Sequence, residues 1–200
     1  MVKKLIGLTL FTMLISGCAT DLTTNVNYYL LDDATTTITP ISVDQRPIKI
    51  KIDTFELADY LNQTNLCMQL EGHQIYYSKH HFWAQPLQSS LLKSLLNDLN
   101  LHSSQGYFYT SDTVNDEQPD LKMGLSISHF LPTHQSSVVM SGQYWFYDSK
   151  TNNDLSKRVF NFKYELPLKE NGFPHSVKQL RLLLPELSKE LVKNMESIKN

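Results

Sequence analysis

The spacing of apolar residues changes period three times along this chain, and those changes limit the fold more than any other feature. Ile48, Ile50 and Ile52 alternate with Lys49, Lys51 and Asp53, and Phe55 and Leu57 extend the run. Period two places one face on a core and the other in water, which is the mark of a strand. Pro47 at its head fits a strand start. Leu66 to Leu70 and His73 to Tyr77, flanking Glu71-Gly72, read as a hairpin or a bulged strand pair. At Ala84 the spacing becomes helical. Ala84, Leu87, Leu91, Leu92, Leu95, Leu96 and Leu99 share one face, with Pro86 in the first turn, which predicts a helix over about 84–100.

Period two then returns. Leu121, Met123, Leu125, Ile127 and, after a slip, Phe130 form one strand; Val138 to Tyr147 and Arg158 to Leu166 form two more. Together they read as an antiparallel meander, with turns at 111–120 and at Ser149 to Asp154. A final helix is expected from Pro174 towards Ile198, striped by Leu180, Leu183, Leu184, Leu187, Leu191 and Met195, with Pro185 able to kink or split it. Short strands at Asn27–Leu31 and Tyr107–Thr110, a turn at Asp59–Leu61 and a threonine-rich loop at Thr35–Ser42 complete the pattern. Strands, a helix, strands and a helix make an α+β fold, with an antiparallel or mixed sheet covered by two main amphipathic helices. No internal repeat or second domain is visible.

The N-terminus carries an address. Lys3 and Lys4 precede an apolar stretch, Leu5 to Ile15, that has the length of a signal-peptide core. A stable transmembrane helix needs roughly 20 apolar residues. The stretch ends in Ile15-Ser16-Gly17-Cys18, aliphatic, small, small, cysteine, like a bacterial lipobox. In such a signal Ile15, Ser16 and Gly17 are read by the peptidase, and the Cys18 thiol takes a diacylglycerol and becomes the first residue. The expected division is 1–17 signal peptide, 18–26 lipidated tether and 27–200 one periplasmic domain. Three acyl chains would hold the chain firmly to a bilayer, where one alone is marginal. Ala19 follows the cysteine rather than Asp. In resembling Gram-negative signals this directs the protein to the inner face of the outer membrane. Cys67 then has no partner for an intrachain disulfide and reads as a buried small hydrophobe.

Composition removes other classes. The chain of 200 residues has 18 Lys and Arg against 20 Asp and Glu. Loss of Lys3 and Lys4 leaves 16 against 20, a mature net charge of −4. Only Arg46, Arg158 and Arg181 are arginines, and no basic run offers a phosphate stripe, so nucleic acid is not an expected partner. No cofactor motif occurs. His73, His80 and His81 lie near Glu71, but adjacent histidines point apart on a strand, so no metal site is assigned. Ser141-Gly142 and Ser103-Ser104 lack a nucleophile-elbow context, and a hydrolase built on His129 or His134 has no support. No catalytic residues are expected. Trp83 reads as core or as a partner anchor. Tyr144, Trp145, Phe146 and Tyr147 put aromatics on both faces of one strand, which implies that helix and sheet, a partner or a second subunit covers them. A Glu at the outward member of Tyr144 or Phe146 is expected to impair association rather than folding.

Three segments carry a resemblance. Tyr28-Tyr29-Leu30-Leu31 follows the lipobox; the Ile48–Phe55 strand runs into Leu57-Ala58-Asp59-Tyr60-Leu61; and Ile75-Tyr76-Tyr77 leads to Phe82-Trp83-Ala84-Gln85-Pro86-Leu87. In order and spacing the chain resembles the PqiC/YmbA-type lipoproteins, auxiliary components of ABC-type and MCE-domain lipid transport systems. Ala58 stands where that family often has proline, Gln63 near a usual arginine, and Gln85 for the usual glutamate. The resemblance implies a non-enzymatic accessory protein on the periplasmic side of the outer membrane. It would dock an MCE-domain partner, support lipid traffic and envelope integrity, and bring no cofactor. The alternative is a periplasmic lipid carrier or chaperone with an apolar pocket.

Overall fold

The computed structural model describes residues 25–34, 46–110, 118–148 and 158–199. The expectations for the signal and lipobox, the Thr35–Ser42 loop, most of the 111–120 loop and the Ser149–Asp154 turn lie outside these residues. The described elements are β1 (Asn27–Tyr29), β2 (Ile48–Leu57), β3 (Asn65–Gln69), β4 (Ile75–Trp83), α1 (Leu87–His102), β5 (Gly106–Tyr109), β6 (Leu121–Thr133), β7 (Ser137–Asp148), β8 (Arg158–Pro167) and α2 (Phe173–Lys199). The fold is α+β, with a mixed eight-stranded sheet.

β6 is the axis. One of its edges carries β7 along its whole length, and β8 pairs on β7, all antiparallel, as the expected meander. The other edge is shared. β2 runs parallel to β6 over Leu121–Ile127, with β5 parallel beyond it. Past Ile127 the chain leaves that edge through a short helical turn at Asp59–Leu61. β3 then takes the edge at Thr133, carrying β4 antiparallel and β1 parallel.

The two slips in the apolar period are bulges. An extra residue, Asp53, sits between the Ile52–Met123 and Thr54–Gly124 pairs, so Ile52 and Phe55 both keep the inner face across an odd step. The step from Ile127 to Phe130 is the same device, at the register shift between Ile127 and His129. A one-residue slip without a bulge would turn each following apolar residue to water.

α1 packs on β2 and β5, α2 packs on β6, β7 and β8, and the helices pack on each other. Leu87, Leu91, Leu95 and Leu99 are buried, as are all six residues of the predicted α2 stripe. α1 begins at Leu87 rather than Ala84. Pro86 is its cap, in a non-helical conformation, and a proline disfavours helix in the residue before it. α2 runs unbroken through Pro185.

β4 corrects the sequence reading. It continues to Trp83, six residues past the Tyr77 end that the sequence pattern suggested. The reason is a partner invisible to local pattern: β1 pairs on His81, Phe82 and Trp83.

Candidate functional site

The first described strand, β1, is clamped just after its end. Leu31 is buried in the core, and Asp32 accepts from Arg181 Nε at 2.7 Å and from the Ser94 hydroxyl at 2.6 Å. Arg181 closes a two-pronged pair with Asp98, at 2.7 and 2.9 Å. Ser94 and Asp98 are one turn apart on α1, so a single face of α1 meets α2 and the N-terminal segment together. Burial alone would lower the Arg181 pKa; Asp98 and Asp32 outweigh that cost and raise it.

The aromatics of β7 divide by face. Tyr144 and Phe146 are buried under α2. The Tyr144 hydroxyl donates to Glu190 at 2.7 Å and accepts from Asn194, and the Tyr164 hydroxyl also donates to Glu190. Burial, reinforced by Glu190, pushes both phenol pKa values up. Both residues of the Tyr144/Phe146 pair are core packing, so the expected outward member does not exist. A Glu at either position would strike folding first, because it buries an unpaired charge. On the opposite face, Trp145 lies over Gly124, where a Cβ would come within 2.2 Å of the indole. Tyr147 donates to Asp53, the bulge residue, at 2.6 Å, and Lys122 sits 5.8 Å from its ring centre. Trp83 is only 8% exposed and packs in the core.

Exposed large apolar residues occur singly in sequence at Leu101, Val159 and Leu182, and as a group on and beside β1 and on β4. Val26, Tyr28 and Leu30 are 48%, 68% and 54% exposed, at two-residue spacing around β1. The Tyr28 ring stands 5.7 Å from that of Phe82, its register partner on β4. Tyr76 and Tyr77 on β4 are exposed too. Sequence reasoning used Tyr28 to Leu31 as a strand and missed the exposure of alternate members. The signal was there: an apolar run, Tyr28 to Leu31, on a strand too short to bury both faces.

The histidines do not converge. His80 is exposed, while His81 shares a hydrogen bond with the Tyr29 hydroxyl at 2.7 Å and stands 4.8 Å from the Phe173 ring. Among the described residues no three His, Cys, Asp or Glu side chains assemble as a metal site. His129 meets the Ser141 hydroxyl at 2.9 Å because the two are cross-strand partners, and among the described residues no carboxylate hydrogen-bonds to that imidazole. Cys67 is buried, and burial pushes its thiol up to about 11.

Two concavities bear on a lipid site. One, enclosed by Cys67, Trp83, Phe130 and Leu180 among others, has about 10 Å³, at most enough for one water. The other is an open groove of about 530 Å³ between the start of α1 and β2, lined by Ile52, Phe55, Pro86, Gln88, Leu92 and Thr110.

Comparison with known proteins bears on the whole domain. A family model described as "ABC-type transport auxiliary lipoprotein component" matches residues 29–192. Among curated proteins none matches the sequence. Solved structures that share the fold include two with TM-scores above 0.6. One, titled only as an uncharacterized protein, is 18% identical with a TM-score of 0.69, covering 86% of this chain and 99% of that one. The other is a Xanthomonas campestris protein placed in family DUF330, 12% identical with a TM-score of 0.62 and the same coverage.

Proposed function

Since the chain belongs to the family of ABC-type transport auxiliary lipoprotein components, we propose that it is the outer-membrane accessory lipoprotein of an intermembrane lipid transport system. Acylated Cys18 anchors it on the inner face of that membrane. The folded domain docks a periplasmic MCE-domain partner and supports envelope integrity by holding the system together. One observation carries the reading: the lipobox-like Ile15-Ser16-Gly17-Cys18 lies eleven residues before Tyr29, where the family match begins. That spacing leaves a short linker between an acylated cysteine and the first strand. The compact interior fits a docking role, because the enclosed pocket of about 10 Å³ could not take an acyl chain. Residues 27–200 act as one domain in this reading, and the reading needs no catalytic residue.

The test is a crosslinked pull-down of the full chain from membranes, read by mass spectrometry, with Cys18→Ala as control. Recovery of an MCE-domain protein that depends on Cys18 is expected. Recovery of no transport component from either chain would overturn the reading. The groove of about 530 Å³ favours a second reading, a lipid carrier. That reading requires phospholipid to co-purify with the chain and to be lost on Leu92→Glu, which would block the groove.

A further inference from the structure

Among the described residues, the large apolar side chains with substantial exposure include Val26, Tyr28 and Leu30, three in five consecutive residues. An exposed cluster of this kind is uncommon on a soluble surface and marks something that covers it. Its packing is not loose: Tyr28 is in register with Phe82 on β4, and Asp32, just beyond, is held by Arg181. The strip is therefore fixed on a rigid body. It consists of an aromatic ring with a polar tip flanked by aliphatics, and Lys79 and His80, both exposed, precede the stretch of β4 that pairs with β1. Aromatic rings with a polar tip concentrate at the membrane–water interface, and lysine reaches from apolar surface to headgroup phosphate.

The length of the tether decides the occupant. Val26 is the eighth residue after Cys18. Even fully extended, those eight steps span at most about 25–30 Å, so the strip can never stand far from the lipids that Cys18 carries. We propose that the Val26–Tyr28–Leu30 strip, with Phe82, rests in the headgroup region of the bilayer that receives the Cys18 acyl chains. The domain then sits on the membrane in one orientation, with β1 and β4 down, instead of swinging on a free linker. This rests on the lipid-anchor reading above and adds a contact surface to it.

The full chain purified from membranes is placed in phosphatidylethanolamine–phosphatidylglycerol vesicles containing a phospholipid with a photoactivatable diazirine beside its headgroup. Crosslinks are then located by mass spectrometry. Lipid adducts on residues 26–31 and 76–83 are expected. A Tyr28→Ser/Leu30→Ser chain should lose them by about fivefold or more, because the apolar area that enters the interface is removed. Its melting temperature should be unchanged, since neither side chain is buried. Adducts confined to residues 18–25 would overturn the proposal, as would crosslinks from the strip to a protein instead of lipid in intact membranes. The intact mass of the same sample reports acylation separately. A chain without acyl mass would overturn the anchor reading, and strip adducts on added vesicles would then still support the surface while their absence would overturn it.

Discussion

Tyr144 and Tyr28 are both strand tyrosines beside other aromatics, yet one is fully buried and the other 68% exposed. The meander β6–β7–β8 and the arm β3–β4–β1 differ in what covers them. α2 lies on the meander and supplies Glu190 and Asn194 to the tyrosine hydroxyls. On the other arm the Tyr28 ring meets Phe82 but stays open. The arm is joined to β6 through a single register pair, Gln69 with Thr133, extended by one hydrogen bond from His134 to Gln69. The same residue type thus serves as scaffold where a helix supplies polar partners and as surface where none does. In this molecule a helix closes the tyrosine face of the meander, and the strip on the N-terminal arm faces outward.

Substitutions can break that contrast. The largest effect is expected at Gly142, where a Cβ would come within 2.1 Å of the Ser126 carbonyl in β6. Backbone cannot move aside without parting the meander, so Gly142→Ala should cost about 3 kcal/mol or more in urea unfolding. Arg181→Met would strand Asp98, whose side chain is 7% exposed, at a cost of about 3 kcal/mol. It should also loosen the segment around Asp32, seen as faster amide exchange at residues 28–34. Tyr144→Phe keeps the ring and removes the hydroxyl shared by Glu190 and Asn194, for about 1–2 kcal/mol.

Alkali should act in the same direction on the buried groups. The Cys67 thiol is raised from 9.0 to about 11, and the Tyr144 and Tyr164 phenols are also raised. Below pH 9 folded and unfolded chains hold these protons equally. Between about 9 and about 11 the unfolded Cys67 ionises first, so stability should fall with rising pH. Cys67→Ser should remove part of that slope in pH-dependent melting. The smallest stability effect belongs to Tyr28→Ser, within about 0.5 kcal/mol of the parent chain. A large loss there would mean that the Tyr28 side of the arm is packed after all and would erase the contrast.

The meander was legible because each strand shows its period in its own residues. Phe160, Phe162 and Tyr164 alternate, and so do Tyr144 and Phe146, so both pairings follow from local pattern. Even the slip before Phe130 was visible as a broken period, although only the pairing revealed a bulge. The ends of β4 and the order of the other arm were not legible. His81-Phe82-Trp83 is strand only because β1, more than fifty residues earlier, lies beside it. The Asp32–Arg181 bond spans 149 residues and has no local signature. Alternation placed Trp145 and Tyr147 opposite Tyr144 and Phe146 but could not say which face α2 would take. The exposed strip was hidden for a related reason: Tyr28 and Leu30 read as strand-formers, and their exposure depends on what fails to cover them.

Hydrogen–deuterium exchange of the full chain purified from membranes, in vesicles and then in detergent, addresses the contrast most directly. The account predicts that the membrane slows exchange at residues 26–31 and 76–83 and leaves residues 137–148 and 158–167 unchanged. Protection over the meander, with none at the N-terminal arm, would contradict it.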